Sequence, residues 1–539
     1  MNSEGLRLLS VTLAFLIGLT LIGCSGKKSP DAETAAPSVE IPSEDELFTH
    51  NDLTPADLSE AETLTLSENL TIDRAGVYRL SGNMIGGQIL VDAEKTDKIF
   101  LILDGVALST EKQAAIYVRS ADKVFLTLAD GSENSITVTG EIAAGGETKV
   151  DAAIFSKDDL TLNGSGSLTV TSSGNGITSK DDLVIAGGKL NISADGHALE
   201  GKDSVRIANG EFVLSAGKDA IHADNDEEDT LGNCYLAGGD LTLSAKDDAV
   251  HASGNLFCLG GKLRITECYE GLEGKYVSVS GGDITIVASD DGINAAGGRD
   301  QSGFGGPGGR RDNFGGGDPF GGGGEPFGGG GDPFGSGGEP FGSSSDVGIE
   351  ISGGKIVVNA AGDGVDSNGF LTVSGGELYI SGPINSANGA IDYETAGTVT
   401  GGKVVAVGAV GMAMNFGNAS TQCTAMINLN GKAGEILSVS DADGKLLLSF
   451  APEKDYQNVV ISSPDFKLGE TYTVTAGEAS ATVTFTQTVI GDNRSGPGGF
   501  DPRGNRDPGK DRPNDPGQGG FDRREPPDQP PMPESGFHF

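Results

Sequence analysis

The sequence predicts an all-β chain wound as a right-handed parallel β-helix, a solenoid of about 22-residue coils closed by a small C-terminal β cap. Three observations predict it. A small-apolar pair returns in one phase as Ala153-Ile154, Gly176-Ile177, Ala198-Leu199, Ala220-Ile221, Ala249-Val250, Gly271-Leu272, Gly292-Ile293, Gly364-Val365 and Ala390-Ile391. Between these pairs stand Gly-Gly turns, Gly187-Gly188 through Gly375-Gly376, each followed by an alternating stretch such as Lys189-Leu190-Asn191-Ile192. The first spacings of the pair are 23, 22 and 22 residues, and no helical period of 3.6 competes with them. So short a unit cannot bury its own apolar face, whereas stacked copies bury a continuous one. Leucine-rich repeats share the length but need a Leu/Asn consensus and a helical segment that these coils lack.

Residues 1–23 read as a signal segment, with an apolar run from Leu8 to Ile22 too short for a bilayer span. It closes on Leu21-Ile22-Gly23-Cys24, the lipobox pattern, so Cys24 is expected to carry a lipid and to be the chain's sole link to a membrane. Against this stands a leader head with only Arg7 and also Glu4; the alternative is an ordinary cleaved signal. Residues 24–46 read as a polar tether. Residues 47–418 are the β-helix, its opening coils and cap lying before Gly140. Residues 297–345 interrupt it with a glycine-rich insert in which Asp318-Pro319-Phe320, Glu325-Pro326-Phe327, Asp332-Pro333-Phe334 and Glu339-Pro340-Phe341 recur; a featureless disordered spacer and a multivalent sticker both fit it. The coil pattern resumes at Val347. Residues 419–489 lose the period and read as the β cap, and residues 490–539, rich in Pro, Gly, Asp and Arg, as a disordered tail.

With 37 basic and 77 acidic side chains the formal charge is −40. So acidic a surface repels nucleic acid and attracts cations, so no nucleic-acid partner is expected and the body is expected to be a monomer. Cys234, Cys258, Cys268 and Cys423 stand out of register for easy bridging and read as buried free thiols; no CxxC points to zinc. No Ser/His/Asp order, phosphate loop or HExxH appears.

Stacking places equivalent positions of successive coils about 4.8 Å apart. Two before the phase residue stand Asn175, His197, Asp219, Asp248, Glu270, Asp291 and Asp363; just after it stand Glu200, His222, His251, Glu273, Asn294, Asp366 and then Asp392. These are two adjacent polar ladders, extended by Asp247 and Asp290. Like charges at that spacing repel and raise one another's pKa unless compensated, and Ca²⁺, with six to eight oxygen ligands, compensates well. The competing reading is a solvated corner of turn-forming Asp and Asn. A third column, Lys157, Lys180, Lys202 and Lys275, serves either as charge balance or as a contact to a polyanion, with a base in β-elimination as a third role. The imidazoles of His197, His222 and His251 fit either a softer metal or satisfied surface positions.

Coils such as Ala153-Ile154-Phe155-Ser156-Lys157-Asp158-Asp159-Leu160, Asp290-Asp291-Gly292-Ile293-Asn294 and Gly362-Asp363-Gly364-Val365-Asp366-Ser367-Asn368-Gly369 resemble the calcium-containing β-helix carbohydrate-binding proteins of cellulose-degrading clostridia and other bacteria. The resemblance runs from about Leu58 to Val483. It implies a pectate-lyase-like fold, Ca²⁺ between coils, and binding of plant-type or acidic polysaccharide without established catalysis. Carried over residue by residue, it puts the metal on Asp290, Asp291, Asn294, Asp363 and Asp366, then Glu270 and Glu273; the ladder itself adds Asp248 and Asp219 as metal candidates, and His222 and His251 depart from the acidic pattern. Flat aromatic platforms for sugars are scarce, since Trp is absent and ten of the 22 Phe lie in the insert or tail. The function expected is therefore calcium-stabilised, non-catalytic binding of acidic glycans at a bacterial cell surface. A Ca²⁺-dependent polysaccharide lyase and an adhesive envelope protein are the alternatives.

Overall fold

The computed structural model of the chain describes residues 39–140, 142, 149–295 and 346–491. The signal segment with Cys24, the insert 297–345 and residues 492–539 of the tail lie outside them.

Each coil contributes to three parallel ladders. One is built from the phase-pair strands, for example Asn175–Ser179, Leu199–Gly201, Ile221–Ala223, Ile293–Ala295 and Val365–Ser367. The second includes Asp159–Gly164, Asp182–Ile185, Ser204–Ile207, Asn233–Leu236 and Gly348–Ile351, and the third Ser167–Ser172, Lys189–Ala194, Glu211–Ala216, Asp240–Ala245, Asp283–Ala288 and Lys355–Ala360. Coil-to-coil pairing is parallel throughout these ladders, which makes the body a parallel β-helix.

The phase marker holds in three dimensions. Ile154, Ile177, Leu199, Ile221, Val250, Leu272, Ile293 and Val365 are paired in unbroken succession, and none is exposed. Burying each such side chain contributes about 1.5–3 kcal/mol, so the column is a main source of cohesion between coils. Ile293 pairs with Val365 and Asp283–Ala288 with Lys355–Ala360 as neighbouring coils, although the insert separates them in sequence.

The Gly-Gly turns have two causes. A Cβ on Gly353 would lie 2.1 Å from the Ser280 carbonyl oxygen of the preceding coil, while Gly354 has φ +76°, which side chains disfavour. The first glycine admits the neighbouring coil and the second bends the chain.

At the C-terminal end, Tyr456–Ser462 pairs antiparallel with both Ala396–Gly408 and Thr424–Gly431. The last coil's edge is thereby covered. A four-stranded antiparallel sheet of Leu446–Phe450, Leu437–Ser440, Thr471–Ala476 and Ala479–Thr484 follows, with its own core around Val439, Leu448, Val474 and Phe485.

The N-terminal segment differs from expectation. Residues 39–46, read as the end of a tether, are laid on the outside of the second ladder. Val39 packs with Phe257, Tyr276 and Phe370, Leu47 and Phe48 with Val184, and Asp52 pairs with Lys123 at 2.9 Å. The strap thus crosses several coils before the chain enters the first one at Glu62–Leu66. Two one-turn helices, Glu44–Leu47 and His50–Leu53, each start with a capping box, at Ser43/Glu46 and Thr49/Asp52. Polar residues spaced for caps, rather than a hydrophobic period, form this strap, which is why it resembled a tether in sequence.

Candidate functional site

The corner before and after the phase strand holds both polar ladders, and their pairing is in register. Thr178, Glu200, His222, His251, Glu273, Asn294 and Asp366 stand side by side.

In the first ladder one side-chain oxygen of most members is committed to the backbone. Asn175 Oδ1 accepts the N–H of His197 at 3.0 Å, Asp219 Oδ1 that of Asp248 at 3.0 Å, Asp248 Oδ1 that of Glu270 at 3.1 Å, and Asp291 Oδ1 that of Asp363 at 2.6 Å. Asp363 Oδ1 accepts from Gly389. This recurring cap satisfies corner N–H groups that no ladder strand reaches. It leaves the second oxygen of each acid for other chemistry.

What that second oxygen meets divides the corner into three regions. At the C-terminal end, Asp291, Asp363 and Asp366 bring ligand atoms within 4.8 Å of one another. Burial first, and then the charges of Asp363 and Asp366, push the Asp291 carboxyl up to about 9. Burial and the surrounding acids push Asp363 up to about 7, against the Gly389 N–H that lowers it. Burial and the charge of Asp392 raise Asp366 to about 6. Among the described residues no cation is paired with these three. Asp290 lies beside them: a Cβ on Gly362 would stand 2.3 Å from Asp291 Oδ1 and 2.4 Å from Asp290 Oδ1. Gly362 therefore leaves open the space on which both carboxylates border.

In the middle, Asn294 Nδ2 donates to Glu270 Oε2 at 2.6 Å, and His251 Nδ1 lies 2.5 Å from Glu273 Oε2 and 3.6 Å from Asp248 Oδ2. Glu273 Oε1 and Asn294 Oδ1 are buried without a hydrogen-bond partner. Burial would lower the His251 imidazole, but Asp248 and Glu273 outweigh it and hold it well above its ordinary value. Burial raises Asp248.

Towards the N-terminus, Asp219 meets His197 and His222, and its carboxylate also lies within 4.8 Å of ligand atoms of Asp247 and Asp248. Burial would raise its carboxyl, but the close approach and charge of the two imidazoles outweigh that and hold it far below the carboxylate range. Glu200 closes this end with Lys180 at 2.6 Å, Thr178 at 2.9 Å and Asn175 at 2.5 Å.

The sequence-derived metal residues are thus not one site. Asp290, Asp291, Asp363 and Asp366 gather; Glu270, Glu273, Asn294 and Asp248 form a neighbouring hydrogen-bonded group; Asp219 belongs with histidines. The lysine column is continuous only through Lys157, Lys180 and Lys202, since Asp224 and Ser253 follow in the column before Lys275. Lys180 is held by Glu200 and lies over the Phe155 ring, and Lys202 is held by Glu227 at 2.6 Å. One contributor escaped sequence reasoning, Gly362, whose role is an empty volume; Asp392, already in the second column by spacing, is the neighbour that raises Asp366.

Three comparisons with known proteins show what this chain is similar to. Residues 67–303 match the family described as carbohydrate-binding domain-containing protein. A carbohydrate-binding domain-containing protein of Acetivibrio thermocellus is 36% identical over 189 residues, covering 34% of this chain. The chain spans 63% of that relative's length. A solved structure described as a polysaccharide lyase-like protein from C. thermocellum, in a gadolinium derivative, is 33% identical and is matched over 42% of this chain and 94% of its own, with a TM-score of 0.36.

Proposed function

We propose that this chain is a calcium-stabilised polysaccharide-binding protein of a bacterial cell surface, anchored through a lipid on Cys24, which holds acidic or plant cell-wall glycans without cleaving them. The observation that carries the reading is the convergence of Asp291, Asp363 and Asp366, half-buried, within 4.8 Å and without a cationic partner among the described residues. Three carboxylates so placed repel one another, and each retains an oxygen beyond those used by the backbone.

The residues fit a hard divalent cation. All nearby donors are oxygens, as Ca²⁺ requires, and Gly362 keeps the space beside Asp290 and Asp291 free of side chain. Asp290, Asp291, Asp363 and Asp366 would hold the ion, with Asn294, Glu270 and Glu273 on the neighbouring coils. When bound, Ca²⁺ supplies neutralising charge and open positions that a uronate carboxylate can share. The protein's own part is to pin the carboxylates through the corner caps and to offer the flanking coil surface to the glycan. Lys157 and Lys275 are the column members without a carboxylate pair among the ion pairs described, so they remain the cationic contacts of choice for an acidic sugar chain.

A lyase would need a base beside the metal: Lys180 and Lys202 are engaged by Glu200 and Glu227, whereas Lys275 has no carboxylate pair among the ion pairs described and is the residue a lyase would use. The test is retention on pectate, alginate and cellulose with Ca²⁺ and with chelator, alongside uronate absorbance. Ca²⁺-dependent retention without rising absorbance is expected; no retention on any glycan would sink the reading, and steadily rising absorbance would replace it with the lyase.

A further inference from the structure

The imidazoles of His197, His222 and His251 form a stacked column, with ring centroids 4.0 and 5.0 Å apart and interplanar angles of 25° and 17°. The calcium reading makes no use of it. The stacking follows from register, since His222 and His251 are directly paired and His197 reaches the same corner from the first ladder.

Two of these rings converge on a single oxygen. Asp219 Oδ1 is committed to the Asp248 N–H, so only Oδ2 faces the histidines. It lies 2.6 Å from His222 Nδ1 and 3.1 Å from His197 Nδ1. The first contact is a hydrogen bond. The second lacks hydrogen-bond alignment, and His197 Nδ1 is a buried nitrogen without a hydrogen-bond partner. Such an orphan is costly unless something other than Asp219 satisfies it. His197 also lines a surface cavity of about 340 Å³ together with Asn175 and Glu200, so one member of the cluster borders solvent. His251 differs: it is held 2.5 Å from Glu273 with both side chains almost fully buried, and that group is closed.

We propose that His197, Asp219 and His222 form a second metal site, selective for a borderline-soft first-row ion of the Zn²⁺ type and chemically distinct from the all-oxygen calcium corner. Imidazole suits zinc, copper and nickel and is a poor ligand for calcium. A tetrahedral ion with bonds of about 2.0–2.1 Å holds its donors roughly 3.3 Å apart. The observed 3.1 and 2.6 Å to Asp219, with all three ligand atoms within 4.8 Å of one another, place the donors around that spacing. Three protein ligands leave one position for water or for a ligand entering from the cavity. The ion would occupy the place where the two Nδ1 atoms and Oδ2 converge, satisfying the orphaned nitrogen and making the shared Asp219 oxygen a ligand rather than a contested acceptor.

The test is Zn²⁺ titration of the untagged full chain, stripped with chelator, by calorimetry, with Co²⁺ absorption as a spectroscopic readout. We expect one tight equivalent, insensitive to a hundredfold excess of Ca²⁺ and to Asp291→Asn, and weakened at least tenfold by His197→Gln and by His222→Gln. Asp219→Asn retains an amide oxygen for the Asp248 cap and loses the charged ligand, so its Zn²⁺ affinity should fall as far as in the histidine variants, whatever its melting in chelator shows of the charge's part in the fold. Co²⁺ should show the intense visible bands of a four-coordinate site. Wild-type affinity weaker than millimolar, or unchanged affinity in both histidine variants, would overturn the proposal.

Discussion

Replacing Asp291 by Asn should stabilise the metal-free protein and weaken the calcium-loaded one. The side chains are nearly isosteric, and the amide oxygen can still accept the Asp363 N–H that Oδ1 holds at 2.6 Å. Burial and the charges of Asp363 and Asp366 push the Asp291 carboxyl up from 3.8 to about 9. Between those values the folded state binds more protons than the unfolded one, so stability of the metal-free protein falls as pH rises. At pH 8, keeping this group protonated costs on the order of 6 kcal/mol, at about 1.4 kcal/mol per pH unit. Part of the repulsion is shared with Asp363 and Asp366, so roughly half, about 3 kcal/mol, is assigned to Asp291 itself. For a body of this size that raises the melting midpoint by roughly 3–4 °C. At pH 4 the gain should shrink to a few tenths of a kcal/mol, because that pH lies close to the unfolded value of 3.8. With Ca²⁺ the sign reverses: the wild type gains about 4.1 kcal/mol at a concentration a thousand times its Kd, and the variant, short of a charged ligand, gains little. Calorimetric melting at pH 4 and pH 8, with chelator and with Ca²⁺, measures all four quantities. A variant that melts below wild type in chelator at pH 8, or that keeps the full calcium response, would refute the argument that these carboxylates are an uncompensated cluster awaiting a cation.

Other substitutions probe the surrounding architecture. Gly362→Ala places a methyl 2.3–2.4 Å from oxygens of Asp291 and Asp290; it should cost about 1–3 kcal/mol by overpacking and reduce Ca²⁺ affinity at least tenfold, measured by calorimetric titration. Ile221→Ala removes a fully buried member of the phase column between Leu199 and Val250 and should cost about 2–5 kcal/mol in urea unfolding. Lys123→Met leaves the Asp52 carboxylate, 2.9 Å from Lys123 Nζ, unpaired against the second ladder. Breaking such a buried pair costs about 3–5 kcal/mol, so limited proteolysis should cut within residues 39–57 while the coils stay resistant; a strap as protected as in the wild type would show that its hydrophobic contacts alone hold it.

Much of the fold was legible in the chain because a solenoid repeats its constraints. Each coil must place one apolar residue above the last, so Ile154 through Val365 keep a phase that can be read without coordinates, and the insert cannot hide it because Ile293 and Val365 obey the same rule on either side. The Gly-Gly pairs were legible for the same reason, as every coil turns where the next one lies closest. The strap was not, because residues 39–57 are used once and pack on a surface assembled from strands remote in sequence.

The corner divides along the same line. Its period determines column membership: which acids, histidines and lysines stand above one another follows from spacing alone, since strand pairing fixes one register per coil. Partner choice within the column is decided only by the folded chain. That one oxygen of Asp219, Asp248 and Asp291 caps the next coil's backbone, that Lys202 turns to Glu227, and that His197 and His222 share Asp219 while His251 takes Glu273 depend on side-chain direction, burial and non-repeated neighbours. A repeat specifies where a side chain begins; the local packing around it specifies where its charged end goes, and the chemistry of the corner resides in those ends.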